Sequence, residues 1–251
     1  MSISAAETRA ARAPLLCVED LHVSYGKAHV VHGVNLTVGR GEFVVMLGRN
    51  GAGKSTLLNS LAGLTPSRQG LVTLDGRDLS RDPARARVRA GIVSVLEGHR
   101  VFTGLSVEDN LLIGTYALSP HGDRTKLPAI YETFPELAER RHLQASRLSG
   151  GQQQILAVAQ GLVAEPRVLL LDEPSGGLSP LLVDRVLSVS HALCETGVAV
   201  LLVEQLVEKA LRYADYVYLV ETGRIAGHGT PAALQGGALL ESVYLGGHAS
   251  T

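Results

Sequence analysis

The sequence predicts an α/β fold built on a mostly parallel sheet, and three observations support this prediction. Four short apolar runs are separated by helical stretches, as parallel strands require; they lie at residues 42–47, 92–96, 168–171 and 198–203. The first run is followed by a glycine-rich loop and an apparent helix at residues 56–62. Residues 15–38 alternate apolar and polar side chains, which predicts an antiparallel β region.

The remaining segments predict helices and one further strand pair. Between residues 105 and 148, polar and apolar residues mix at helical spacing and prolines divide the segment, so we predict a helical insert. A helix at residues 205–213, a strand pair around residues 216–226 and a short helical tail follow. We therefore expect one domain over residues 15–251, with a helical subdomain at about residues 100–150, after a flexible extension at residues 1–14.

The composition favours a globular enzyme. The chain carries 23 Lys and Arg against 24 Asp and Glu, so it lacks the positive field that holds nucleic acid, and we expect no nucleic-acid partner. Cys17 and Cys194 lack the spacing of a metal site or a disulfide framework and are interpreted as small core residues. Since no apolar run reaches the roughly 18 residues that span a bilayer, and residues 1–14 lack a secretory apolar stretch, we expect a soluble, cytoplasmic protein.

A phosphate-binding loop is predicted at residues 48–56, which fit the pattern G-x-x-x-x-G-K-[ST] between a strand and a helix. Its residues are Gly48, Arg49, Asn50, Gly51, Ala52, Gly53, Lys54, Ser55 and Thr56. Glycines allow consecutive backbone N–H groups to turn toward phosphate oxygens beside the positive helix N-terminus. Lys54 is expected to reach the β and γ phosphates, and Ser55 to bind Mg²⁺ through its hydroxyl.

Two adjacent carboxylates, Asp172 and Glu173, end the apolar run at residues 168–171. Acids at the carboxyl edge of a parallel sheet face the crevice where nucleotides bind. Together with the phosphate loop they indicate a site for ATP hydrolysis. Asp172 is expected to bind Mg²⁺, and Glu173 to orient and deprotonate the attacking water.

A second anion site is suggested at the start of an apparent helix, residues 152–162, by Ser149, Gly150 and Gly151. Taken alone, these residues are better explained as a helix cap. About twenty residues before the two carboxylates, however, the run Leu-Ser-Gly-Gly-Gln resembles the signature motif of ABC ATPases. The resemblance implies a P-loop NTPase core of ABC type with an antiparallel β subdomain and a helical subdomain, closing head to tail on a second ATPase subunit.

The resemblance assigns further residues. It implies that Tyr25 stacks on adenine, although a half-buried strand tyrosine would look the same. It implies that residues 175–180 run along the dimer seam, and that Ser149, Gly150 and Gly151 contact the γ-phosphate held by the partner chain. Glu97 stands where most members carry a glutamine near Mg²⁺, and Gln205 where most carry a histidine, so both are assigned to catalysis and Glu97 also to Mg²⁺. The alternative is that Glu97 is a solvated loop acid and Gln205 a helix N-terminal residue.

Residues 96–102, 105–111 and 203–205 resemble the ATPase subunits of branched-chain amino acid importers, in the type with Glu and Gln at these positions. The resemblance implies a subunit on the inner face of the cell membrane that works with permease subunits, with a related ATPase as partner in a heterodimer or a second copy in a homodimer, and indirectly with a periplasmic or extracellular solute-binding protein. Importers of urea or short-chain amides are the first alternative. A soluble ABC ATPase of DNA repair and a regulatory subunit that barely hydrolyses ATP are two more.

Overall fold

The computed structural model describes residues 13–98 and 101–234. Its strands are β1 (Pro14–Tyr25), β2 (Ala28–Gly39), β3 (Phe43–Leu47), β4 (Ser67–Leu74), β5 (Arg77–Asp78), β6 (Ile92–Val95), β7 (Val168–Asp172), β8 (Ala199–Val203), β9 (Tyr216–Glu221) and β10 (Arg224–Gly229). Its α-helices are α1 (Lys54–Leu61), α2 (Ala84–Ala90), α3 (Val107–Thr115), α4 (Leu127–Thr133), α5 (Pro135–Ala138), α6 (Gly150–Leu162), α7 (Pro180–Glu195), α8 (Val207–Tyr213) and α9 (Pro231–Leu234).

The predicted α/β fold is confirmed by a six-stranded sheet in the order β10-β9-β3-β8-β7-β6. The pairs β9-β3, β3-β8, β8-β7 and β7-β6 are parallel, and β10 adds an antiparallel edge. Because parallel strands end at one edge, the loops after β3, β6, β7 and β8 meet there. The phosphate loop, Glu97, Glu173 and Gln205 follow these strands, and Asp172 is the last residue of β7.

The predicted antiparallel region is a four-stranded sheet in the order β2-β1-β4-β5. The sequence prediction covered β1 and β2 and omitted β4 and β5. In β4 the residues over Ser67–Gly70 are polar or glycine and at most partly buried, so this strand carries little apolar alternation. The strand is held by pairing with β1 instead, from Leu16 opposite Leu74 to Val23 opposite Ser67.

Two apolar cores lie on the two faces of the parallel sheet, and β3 contributes to both. Phe43, Val45 and Leu47 pack in the core that includes α6 and α7, whereas Val44 and Met46 pack in the core shared with the antiparallel sheet and α1. This alternation follows from the two-residue period of a strand. All five β3 residues are buried, so the strand that carries the phosphate loop lies at the centre of the domain.

The predicted helical insert contains α3, α4 and α5. Helix α3 begins at Ser106, whose side chain accepts the Asp109 N–H, as an N-cap does. Asn110 is fully buried on α3, and its side chain holds both the N–H and the C=O of Phe102. Among the described residues, none of the helices has both the length and the apolarity needed to cross a membrane.

The chain termini test little of the domain prediction. Residues 1–12 lie outside the described residues, so the proposed extension at residues 1–14 stays a prediction, although Pro14 in β1 already pairs with Gly39 in β2. The helical tail is described only for α9, since residues 235–251 also lie outside. Helix α8 begins at Val207 rather than residue 205, which leaves Gln205 in the loop after β8.

Candidate functional site

The phosphate loop joins the end of β3 to the start of α1. Gly53 precedes the helix with a φ of 99°, and no side chain caps the first turn, so its N–H groups face the loop. Gly48 passes so close to β9 that an added Cβ would lie 2.3 Å from the carbonyl oxygen of Val220. Glycine is therefore required at both positions, for backbone conformation at one and for close approach at the other.

Lys54 lies inside the loop, with 4% of its surface exposed. Its Nζ donates to the carbonyl oxygens of Gly48 at 2.7 Å and Arg49 at 3.0 Å. Burial lowers the pKa of Lys54, while the nearby carboxylates of Glu173 and Asp172 oppose that shift. The ammonium group therefore already lies in the loop. A bound phosphate would replace the two carbonyl oxygens as its hydrogen-bond acceptor.

Ser55 and Asp172 contact each other, as the sequence motifs predict for two groups that share one cation. The Ser55 hydroxyl donates to Asp172 Oδ1 at 3.0 Å. Burial raises the pKa of Asp172, the Ser55 hydrogen bond lowers it, the Glu97 charge raises it and Lys54 lowers it. The Ser55 hydroxyl in the cleft and the buried carboxylate that it contacts form a donor set that suits Mg²⁺.

Glu173 has a φ of 46°, a left-handed conformation that is rare for a residue other than glycine. Its N–H donates to the carbonyl oxygen of Val203 at 2.9 Å, and Gln205 Nε2 donates to its Oε2. Burial raises the pKa of Glu173, and the hydrogen bond from Gln205 is the largest opposing effect. The structure therefore brings together two of the three predicted catalytic residues, from the loops after β7 and β8.

A cleft of about 410 Å³ contains most of the predicted site. The predicted residues that line it are Asn50, Gly51, Gly53, Lys54, Ser55, Thr56, Glu97, Glu173 and Gln205. Val30 of β2 also lines the cleft, and the sequence analysis did not name it. An apolar residue in a strand pattern does not indicate from sequence alone that it lines a binding cleft.

The predicted site residues that are not among the lining residues of this cleft are Tyr25, Gly48, Arg49, Ala52, Ser149, Gly150, Gly151 and Asp172. The Tyr25 ring, at the end of β1, is 50% exposed, and its hydroxyl contacts Thr65 Oγ1 at 3.3 Å. At the start of α6, Ser149 and Gln152 form a reciprocal capping box, in which each side chain accepts the other's backbone N–H. The helix-cap interpretation of Ser149 therefore holds within one chain, and its role toward a partner chain stays a prediction.

Besides Val30, two contributing residues were missed by the sequence analysis. Glu204 is buried between the segments that carry Glu173 and Gln205. Gly223, in the turn from β9 to β10, donates its N–H to the carbonyl oxygen of Ala52 at 2.8 Å and accepts the N–H of His32 at 2.8 Å. An acidic residue directly after the apolar run of β8 was a usable signal for Glu204, whereas Gly223 resembles any hairpin glycine.

The fold and the cleft together define an ATP-hydrolysing nucleotide-binding domain. A family model described as ABC transporter matches residues 31–176, and the chain belongs to this family. The high-affinity branched-chain amino acid transport ATP-binding protein BraG of Pseudomonas aeruginosa is 40% identical over 93% of this chain and 100% of its own length. The lipopolysaccharide export system ATP-binding protein LptB of Escherichia coli is 33% identical over 92% of this chain and 97% of its own length.

Solved structures show the same fold. The ADP conformation of an ATP-binding cassette of an ABC transporter superposes with a TM-score of 0.82, at 24% identity, over 94% of this chain and all of that one. The predicted family and the predicted ATPase activity are thus confirmed, as is the ABC-type fold with its antiparallel sheet and helices.

Proposed function

We propose that the chain is the ATP-hydrolysing subunit of an importer of branched-chain amino acids. The observation that carries this proposal is the 40% identity to BraG, which extends over the full length of that protein. Glu97 in the cleft and Gln205 on Glu173 add support, because the sequence resemblance to such importers rests on these same two positions. LptB, an export protein, matches at 33% identity, so the direction of transport is the part that most needs a test.

In the proposed mechanism, the N–H groups of residues 48–56 and Lys54 bind the phosphates of ATP. Ser55, Asp172 and Glu97 would hold Mg²⁺, which would supply positive charge to offset that of the phosphates during hydrolysis. Glu173 orients the attacking water and accepts its proton, and Gln205 holds the Glu173 carboxylate in place. The exposed Tyr25 ring offers its face to adenine.

The proposed active form is a dimer of ATPase subunits. Ser149, Gly150 and Gly151 lie at the N-terminus of α6, apart from the lining of their own chain's cleft, so they are available to a γ-phosphate held by the partner. We expect a related but different ATPase as that partner, with a homodimer as the alternative. ATP then favours the closed dimer and hydrolysis releases it.

A groove next to Glu97 supports a membrane partner over a soluble role. Its volume is about 280 Å³, and it lies between α2, β6, α3 and α6, with Leu96, Gly114 and Ala117 among its lining residues. Leu96 directly precedes Glu97, so one short segment faces both the groove and the nucleotide cleft. We propose that a short helix of a permease subunit occupies this groove, which would hold the chain at the cytoplasmic face of the membrane and link it indirectly to a solute-binding protein.

Uptake in the source organism tests the proposal. Deleting the chain is expected to abolish uptake of labelled leucine, isoleucine and valine, and wild-type protein is expected to restore it while Glu173→Gln is not. Glu132→Gln, at an exposed position on α4, is the matched control that should restore uptake fully. Loss of urea or acetamide uptake with normal leucine uptake would instead assign the amide importers, and loss of lipopolysaccharide export would overturn import.

Turnover by the purified protein tests the ATPase part separately. Glu173→Gln is expected to lower kcat by about 100-fold or more, because a general base contributes at least that much. Light scattering should then show a stable ATP-bound dimer for the variant. ATP turnover with no change in any uptake and no association with membranes would favour a soluble ABC ATPase.

A further inference from the structure

Glu204 is a buried carboxylate that accepts hydrogen bonds from the loops next to Glu173 and Gln205. Only 1% of its surface is exposed. One carboxylate oxygen accepts the N–H of Ser175 at 3.1 Å. The other accepts the N–H of Gln205 at 2.9 Å and that of Leu206 at 3.3 Å. A single side chain thus joins the loop after β7 to the loop after β8.

These two loops carry the proposed base and the residue that holds it. Ser175 follows Glu173 by two residues, and the turn between them is closed by the Gly176 N–H, which donates to the Glu173 carbonyl oxygen at 3.1 Å. Gln205 follows Glu204 directly and donates from its side chain to Glu173. Moving either loop therefore moves the Glu173 carboxylate relative to the phosphate loop.

The conformation of Glu173 makes such support necessary. A φ of 46° is unfavourable for glutamate. A residue keeps such a strained backbone conformation only where several surrounding contacts hold it in place. The Val203 carbonyl oxygen holds the Glu173 N–H, and Gln205 holds its side chain. Glu204 holds the backbone at Ser175, which follows Glu173, and the backbone at Gln205.

We propose that Glu204 is a positioning residue for ATP hydrolysis, which holds Glu173 and Gln205 in register through their backbones. The inference rests on the proposed role of Glu173 as the base. A glutamate suits the position because its two oxygens accept from both loops at once. A glutamine would present one oxygen to one loop and an NH₂ group, which cannot accept, to the other.

The test compares Glu204→Gln with Glu42→Gln. Glu42 is also a buried carboxylate that accepts a backbone N–H, from Gly39 at 2.6 Å, but it precedes β3 at the edge opposite the cleft. Glu204→Gln is expected to lower kcat by about tenfold or more, because a small misplacement of a catalytic group is sufficient for such a loss. KM for ATP should stay within about twofold, since Lys54 and the phosphate loop are unchanged. Glu42→Gln should leave both constants unchanged.

Two further variants separate positioning from charge and from stability. Glu204→Asp keeps the negative charge but is too short to reach both loops, so its kcat should also fall; wild-type turnover would overturn the proposal. In a Gln205→Ala background, Glu204→Gln should cost less than in the wild type, because part of its effect passes through Gln205. Equal losses in the two backgrounds would contradict that link. If Glu204→Gln does not fold, the Glu204→Asp result decides.

Amide hydrogen exchange tests the geometry even without turnover. Exchange in peptides covering residues 173–178 and 204–211 should accelerate in Glu204→Gln and not in Glu42→Gln. Unchanged exchange there would overturn the inference. A wild-type protein that binds ATP without turning it over would instead overturn the proposed ATPase role, while the exchange result would still decide whether Glu204 holds the two loops.

Discussion

Asp75 is a single exposed carboxylate that joins distant parts of the chain. It pairs with Arg167, just before β7, and with Arg40, between β2 and β3. The hydrogen bond from Arg167, more than any other effect, lowers the pKa of Asp75 below its ordinary 3.8. Because the folded-state pKa is lowered, this carboxylate stabilises the fold above its ordinary pKa, and the stabilisation is lost as the pH falls through the folded-state pKa.

Asp75→Asn should therefore be more harmful at neutral pH than in acid. Asparagine tolerates the left-handed φ of 53° at this position, so the substitution removes charge without backbone strain. The measurement is the urea midpoint of wild type and variant at pH 7 and pH 3, and the difference between the two proteins should shrink at pH 3. A difference independent of pH would contradict the assigned ion pairs.

Among single residues, the sequence predicted those that belong to a contiguous motif. Lys54, Ser55 and Glu173 line the cleft, and Asp172 contacts Ser55, because a strand, a loop and a helix fix their neighbours along the chain. The hydrogen bond between Gln205 and Glu173 fits the resemblance-based assignment of both. Gly223 gave no such signal, since it acts through backbone contacts to segments distant in sequence, and the position of Glu204 after β8 did not reveal its contact to Ser175.

Helix α1, which carries the phosphate loop at its start, is stabilised at its other end by Arg87 of α2. The buried guanidinium donates to the carbonyl oxygens of Ser60 and Leu61, each at 2.8 Å. It also donates to the carbonyl oxygens of Ser80 and Asp82. A cation at a helix C-terminus is favourable because the last carbonyl groups carry partial negative charge.

Arg87→Met should remove these contacts while keeping much of the side-chain volume. The expected loss of unfolding free energy is about 2–4 kcal/mol, since several buried carbonyl groups lose a charged donor. Urea denaturation measures it. Arg85→Met, at an exposed position on the same helix, is the control and should stay within about 0.5 kcal/mol of wild type.

Helices α3 and α6 approach closely at Gly114. An added Cβ there would lie 2.3 Å from the carbonyl oxygen of Gln160 and 2.6 Å from Val163 Cγ1. Gly114→Ala should therefore separate the helices beside the proposed permease groove, at a cost of about 1–3 kcal/mol. Gly104→Ala, which meets nothing within 4 Å, is the control. Equal melting temperatures for the two variants would contradict the close packing.

Elements with strong apolar periodicity were predicted, and weakly patterned ones were not. The four parallel runs became β3, β6, β7 and β8 because each is almost entirely buried. By contrast, β4 is largely polar at its start and β5 has two exposed residues, Arg77 and Asp78. Such strands depend on pairing with β1 rather than on their own pattern, and pairing partners are not visible in a local window.

Gly223 connects both sheets of the domain to the phosphate loop. This residue has a φ of 75°, and an added Cβ would lie 1.9 Å from the carbonyl oxygen of Val30. It therefore joins β2 of the antiparallel sheet, the turn after β9 and the carbonyl oxygen of Ala52 at one point. The shape of the loop depends on both sheets.

Gly223→Ala should weaken ATP binding by about tenfold or more, because its Cβ displaces backbone rather than a flexible side chain. Binding of a fluorescent ATP analogue measures the effect, and circular dichroism checks the fold. Gly76→Ala is the matched control: its φ of 78° gives similar backbone strain, but nothing lies within 4 Å of the added atom. Equal affinities for the two variants would show that the contact at Gly223 does not shape the loop.

The position of β3 in the sheet also determines when this strand can fold during synthesis on the ribosome. Its two neighbours are β8 and β9, which are synthesised long after the phosphate loop. Until residues 199–221 emerge, both edges of an entirely apolar strand lack their partners, which makes the nascent chain prone to aggregation. ATP cannot rescue that intermediate, because Gln205 and Gly223 are not yet available to complete the loop and cleft. We therefore expect the growing chain to need protection from aggregation at the stage when its nucleotide site is translated but not yet formed.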